Sequence, residues 1–161
     1  MSTLVNLKYD YDPASNRKYR RDEVSRVQST PKYFDELYGY DELNRLTSFA
    51  RGELNVGNTT ISNPSLGQTW TLDPTGNWPG FTQTEIDPLT QTRTHNPVNE
   101  ITNIGESVGD EWPTPAYDAN GNTTSFPNPR DLESGLTATY DAWNRLVKLE
   151  NGSGTVAEYE Y

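Results

Sequence analysis

Few residues in this chain are equipped for covalent or metal chemistry. His95 is the only histidine and there is no cysteine. A His-based nucleophile triad or a zinc site would therefore have at most one member of the required type. His95 precedes Asn96-Pro97 and reads as a strand residue before a turn. Asp110 and Glu111, beside Trp112, have the composition of a glycosidase pair. Neighbouring side chains on a strand point to opposite faces, so adjacency argues against their cooperation. The stretch Asp118-Ala119-Asn120-Gly121-Asn122 opens like a calcium loop, but Thr123 and Pro129 stand where such a loop needs Gly and Glu. Trp70, Trp78, Trp112 and Trp143 could stack on sugars, or pack strands together. Trp143 falls inside a turn and is the one expected to be exposed. Three glycosylation sequons, at Asn58, Asn122 and Asn151, matter only in a secreting eukaryote. The sequence thus calls for no catalytic residue, no metal ligand and no cofactor.

Composition narrows the field further. Net charge is −10, with a pI near 4.5, which opposes general binding to nucleic acid. The cluster Arg17-Lys18-Tyr19-Arg20-Arg21 reads as a solvated strand face. No run of 18 apolar residues and no signal-peptide core follow Met1, so no membrane insertion is expected from this segment. Mean hydropathy is −0.88. The apolar mass is aromatic, with 10 Tyr, 4 Trp and 4 Phe, and 12 Gly and 11 Pro punctuate the chain. Aromatic and Thr-rich segments broken by turn residues read as all-β with many short strands. A short helix is expected only near Lys32–Leu37.

What positions these residues is a repeat. Tyr40–Phe49 (YDELNRLTSF) returns as Tyr140–Leu149 (YDAWNRLVKL), and four looser copies begin at Tyr11, Leu72, His95 and Tyr117. The Asp or Asn anchors are Asp12, Asp41, Asp73, Asn96, Asp118 and Asp141, spaced 29, 32, 23, 22 and 23 residues apart. Aromatics alternate before the anchor, as in Tyr38/Tyr40 and Tyr159/Tyr161, and so share one strand face. The anchor carboxylate can accept a backbone N–H two residues on. Pro13, Pro74 and Pro97 suit the next turn position. Gly76, Gly121, Asn44, Asn99 or Asn144 follows third, where a three-residue hairpin loop needs left-handed backbone. The Asp12 copy departs, its Asn16 standing one place late. Each copy encodes a β-hairpin, and the long 13–38 and 42–70 spacers read as insertions.

The pattern Tyr-x-Tyr-Asp-x-x-Gly/Asn-Arg-Leu, recurring over residues 7–161, resembles the YD repeat of the Rhs family. Tyr38–Gly52 and Thr139–Gly154 carry it most closely, and Ala116–Phe126 carries the Asn-Gly-Asn variant. The resemblance implies an array of antiparallel hairpins forming a continuous curved or spiralling sheet. In Rhs proteins, toxin-complex components and teneurins, such shells enclose or display other polypeptide. It implies a non-enzymatic, secreted or cell-surface structural module, an internal segment of a larger protein. The autoproteolytic core and toxin of that family would lie downstream. Its partners would be flanking repeats and a C-terminal domain of a parent protein, with self-association through free strand edges. The alternative is an adhesion module that binds a carbohydrate or surface protein through exposed aromatics, Trp143 first. The repeat residues expected to hold the structure are Tyr40, Asp41, Asn44, Arg45, Leu46, Tyr140, Asp141, Asn144, Arg145 and Leu146. Arg45 and Arg145 are expected to reach carboxylates or carbonyls across hairpins.

Overall fold

A computed structural model describes residues 4–161. It is nearly all β, with antiparallel strands in two open sheets, neither a barrel. The described strands fall in two compact units.

The first unit runs to Leu72 and takes in Gly80–Pro88. It holds β1 (Leu7–Tyr11), β2 (Arg17–Asp22), α1 (Glu23–Arg26), β3 (Asp35–Tyr40), β4 (Leu46–Leu54), β5 (Ile61–Thr71) and β6 (Gly80–Thr84). Each strand pairs antiparallel with the next in the chain. The second unit comprises Asp73–Pro79 and Leu89–Tyr161. Here β7 (Leu89–His95) pairs with β8 (Ile101–Val108). The strands β9 (Ala116–Tyr117), β10 (Thr123–Asn128), β11 (Asp131–Tyr140), β12 (Leu146–Asn151) and β13 (Gly154–Glu158) follow in pairing order. The expected continuous sheet is thus divided, β9 opening a second sheet after β8. The intervening Gly109–Thr114 carries Pro113 and is followed by Pro115, and proline cannot donate to a ladder.

The helix expected near Lys32–Leu37 is a correction. Residues 35–40 are β3, whose Tyr38 and Tyr40 alternate with period two, and the one described α-helix lies upstream at Glu23–Arg26. Asp22 starts it by accepting N–H groups from Val24 and Ser25, both at 3.0 Å. The long 13–38 spacer therefore holds an excursion pinned at its return. Asp35, fully buried, accepts from the Asp22 N–H (2.8 Å), the Leu54 N–H (3.0 Å) and the Arg26 guanidinium. Removing the Asp35 carboxylate would leave two backbone N–H groups without an acceptor and take the charged partner from the part-buried Arg26, a costly loss for a small fold.

Apolar burial is thin. Leu54, Leu89, Ile104, Leu136 and Ala138 are the buried hydrophobics, and as many polar residues are buried with them. Cross-strand contacts supply the rest. Tyr38 faces Phe49 and Trp70 faces Phe81, each pair directly opposite in register, with centroids 5.5 and 5.7 Å apart. Such pairs contribute about 0.5–1 kcal/mol each. Glu36, between β2 and β4, takes Arg20 and Arg51 at 2.9 Å each and the Tyr38 hydroxyl at 2.5 Å. Burial, then the bond to Glu36, pushes the Tyr38 phenol up to about 12.

Candidate functional site: the turn edge

All six anchors build one turn. In each, the anchor N–H donates to the carbonyl of the fourth residue on, and the N–H of the third donates back to the anchor carbonyl. The anchor Oδ1 accepts the N–H groups of the second and fourth residues, at 2.8–3.1 Å throughout. The third residue is left-handed each time: Ser15 (φ 68°), Asn44 (60°), Gly76 (94°), Asn99 (66°), Gly121 (83°) and Asn144 (60°). The Asp12 copy therefore keeps the geometry, with Ser15 in the left-handed place and Asn16 in the fourth.

The fourth place carries a partner for the anchor side chain. Asn16, Asn77 and Asn122 donate Nδ2 to the second oxygen of Asp12, Asp73 and Asp118, at 2.9, 3.1 and 2.8 Å. Arg45 and Arg145 place Nε 2.7 Å from Asp41 and Asp141. At the Asn96 turn the roles invert, and Asn96 Nδ2 donates to Glu100 at 2.6 Å. The carboxylate partner of Arg145 lies inside its own turn. What Arg145 meets from outside is the Tyr161 ring, 4.5 Å from the guanidinium carbon. Hydrogen bonding holds the anchor carboxyls below their ordinary value: from the Asn16 and Asn122 side chains at Asp12 and Asp118, and the Arg45 backbone at Asp41. Asp73 reaches about 2, chiefly through the Thr75 hydroxyl. At Asp141 desolvation pushes up, and hydrogen bonds from Arg145 outweigh it.

The tyrosines before the Asp41, Asp118 and Asp141 anchors, and Tyr161 at the same spacing, join neighbouring hairpins. Tyr40 Oη donates to the Arg17 carbonyl (3.1 Å), Tyr140 to Thr123 (3.0 Å) and Tyr161 to Leu146 (3.0 Å). Tyr117 Oη accepts the Ile101 N–H at 3.1 Å. Every one of these backbone partners lies five residues after the preceding anchor. Leu46 stands exposed and Leu146 half-buried, so the hydroxyls make the more regular fastening.

Sequence reasoning missed a related turn, one residue longer, at Asn55, whose N–H donates to the Thr60 carbonyl, whose Oδ1 accepts the Thr59 N–H at 2.8 Å and whose third residue is left-handed Asn58 (φ 55°). It missed Arg93 as well. That side chain is buried, bonded to Gln91 at 2.7 Å, with Trp78 and Trp112 rings at 4.2 and 6.0 Å. Burial lowers its pKa. Trp78 thus covers a buried guanidinium. Trp143, in contrast, is 76 % exposed. His95 ends β7 opposite Ile101. Asp118 Oδ1 is committed to its own turn, and no metal-binding group of three His, Asp or Glu occurs among the described residues.

No family model matches the sequence, and no curated protein matches it. Among solved structures the chain is similar to a complex described as TcdB2-TccC3-Cdc42, at 16 % identity and a TM-score of 0.48. It is similar also to the Photorhabdus luminescens Tc holotoxin pore, at 13 % identity and a TM-score of 0.42. Each alignment covers 92 % of this chain and 9 % of the other, so the chain spans about a tenth of the length of those it resembles.

Proposed function

We propose that this chain is a non-enzymatic scaffold, a segment of a YD-repeat shell that encloses or presents another polypeptide. The observation that carries the reading is the recurrence of one turn at six anchors, with tyrosines bonding successive hairpins at the same relative position. A hairpin alone is marginal, and side-by-side hairpins stabilise one another. Such a protein works by steric exclusion, and its polar groups serve its own backbone. Secretion or cell-surface display and a flanking polypeptide as partner belong to the same reading. The test is to express the chain with its flanking coding sequence and measure protease resistance of the adjoining polypeptide. Protection is expected, and Tyr40→Ala with Tyr140→Ala should abolish it. Equal digestion with and without the array would refute the scaffold.

The exposure of Trp143 supports a second reading, adhesion to a carbohydrate or surface protein. Glycan-array binding lost in Trp143→Ala, with the fold retained, would favour it over the first.

A further inference from the structure

Within each unit the fourth residue of one turn meets the third residue of the next, and two combinations occur among the described residues. In the first, both are asparagine. Asn16 Nδ2 donates to Asn44 Oδ1 at 2.7 Å, Asn77 to Asn99 at 3.0 Å, and Asn122 to Asn144 at 2.9 Å. A primary amide has two N–H groups. Each of these asparagines donates both to its own anchor carboxylate and to the next turn, and Asn77 reaches Thr75 Oγ1 as well, at 2.9 Å. In the second combination a long charged residue precedes a glycine. Glu100 Oε1 lies 3.7 Å from where a Cβ on Gly121 would stand. A Cβ on Gly76, by contrast, would meet nothing within 4 Å.

Backbone conformation does not dictate the choice between glycine and asparagine. Asn44, Asn99 and Asn144 hold φ of 60–66°, so asparagine serves as well as glycine in the left-handed place. What differs is the neighbour. A short amide in the fourth place leaves room for, and a donor to, an asparagine. A longer side chain fills that room.

We propose that these two positions form a matching code that selects which hairpin can lie beside which. Asn pairs with Asn, a longer side chain such as Glu pairs with Gly, and Arg is assigned to the longer class by its size. Applied to Arg145, the code assigns its partner as a hairpin whose turn carries glycine third after its anchor. The Asp12 turn of a second copy carries Ser15 there and is a mismatch. The inference rests on the scaffold reading only in treating successive hairpins as neighbours.

Double-mutant cycles test it. Asn122→Arg and Asn144→Gly should each lower the thermal midpoint by about 2 °C or more. Together they should recover over half of the summed loss, a non-additivity expected only of residues in contact. The converse cycle, Gly121→Asn with Glu100→Asn, should behave alike and decides the matter if Asn122→Arg fails to fold. Additive losses in the cycle would overturn the code. Additivity in a chain that Tyr140→Phe still destabilises would leave the scaffold standing. For Arg145, the chain is extended past Tyr161 by one hairpin with Gly or Asn in the third place. The Gly version should melt higher, and Arg145→Asn should reverse the order; equal midpoints would overturn that assignment.

Discussion

The Asp118 and Asn96 turns, both in the second unit, have the same backbone and opposite side-chain chemistry. In one, the anchor is a carboxylate and Asn122 donates to it. In the other, the anchor is an amide that donates to Glu100. Both anchors keep Oδ1 for two backbone N–H groups, at 2.9 Å each for Asp118 and 3.1 and 2.9 Å for Asn96. The fold therefore requires an acceptor fixed over the loop and a donor–acceptor pair beside it. It does not require the negative charge to sit on the anchor.

The largest effect should come from deleting that acceptor. Asn96→Ala leaves two N–H groups and the Glu100 carboxylate without their partner, at a cost of about 1–3 kcal/mol. Asp118→Ala should lower the midpoint comparably, because it removes the same two backbone acceptor bonds and one of the Asn122 amide's two partners. Calorimetry of the two variants checks this, and an unchanged Asn96→Ala midpoint would break the equivalence of the turns.

A smaller effect should follow from inverting one turn into the other. Asp118→Asn alone sets two amide donors against each other. Adding Asn122→Glu restores the Asn96–Glu100 arrangement and should recover stability. Recovery should be complete only with Asn144→Gly, because the longer Glu needs the space that the Asn144 side chain occupies. Failure of the triple variant to exceed the single would show that charge at the anchor does matter.

Acid should separate the two turns next. The folded carboxyls of Asp12, Asp41, Asp73, Asp118 and Asp141 lie below their unfolded value of 3.8. A depressed folded pKa confers stability that is complete above the unfolded value and disappears as pH falls through the folded one. The loss should begin near pH 4 and continue toward about 2, where Asp73 protonates. Amide exchange at Asn120 and Asn122 should accelerate over that window. Asn96 has no carboxyl of its own to protonate.

The exchange of roles also shows what could be read in advance. Asp12, Asp41, Asp73, Asn96, Asp118 and Asp141 were legible as anchors, because Asp and Asn both offer an acceptor two residues before a backbone N–H. Gly or Asn in the third place was legible for the same kind of reason, since both tolerate positive φ. The fourth place was not. Asn, Arg and Glu look unrelated by type, and their common task appears only when the anchor's second atom is placed. Ser15 was hidden because serine rarely takes φ of 68°. The tyrosine fastenings span up to 23 residues, a distance at which local patterning has nothing to say. The helix was misplaced because the Asp22 cap lies ten residues before the segment expected to form it.

The smallest effect should be at the tip where the twin phrases differ. Leu43 and Trp143 occupy the same turn position and are 66 % and 76 % exposed. Each donates its N–H to the anchor, at 2.9 and 2.8 Å, so the backbone there is held whatever the side chain. Trp143 has one contact that Leu43 cannot make, with the Arg145 guanidinium carbon 5.3 Å from its ring. An exposed contact of that kind is worth about 0.5–1 kcal/mol. Trp143→Leu should therefore cost little, and Leu43→Trp should gain a comparable amount by pairing with Arg45. If Trp143→Leu instead cost several-fold more, the tip would be part of the packing. If it cost nothing in stability yet removed binding to a glycan or surface protein, the large exposed ring would belong to recognition, where a scaffold can afford variation.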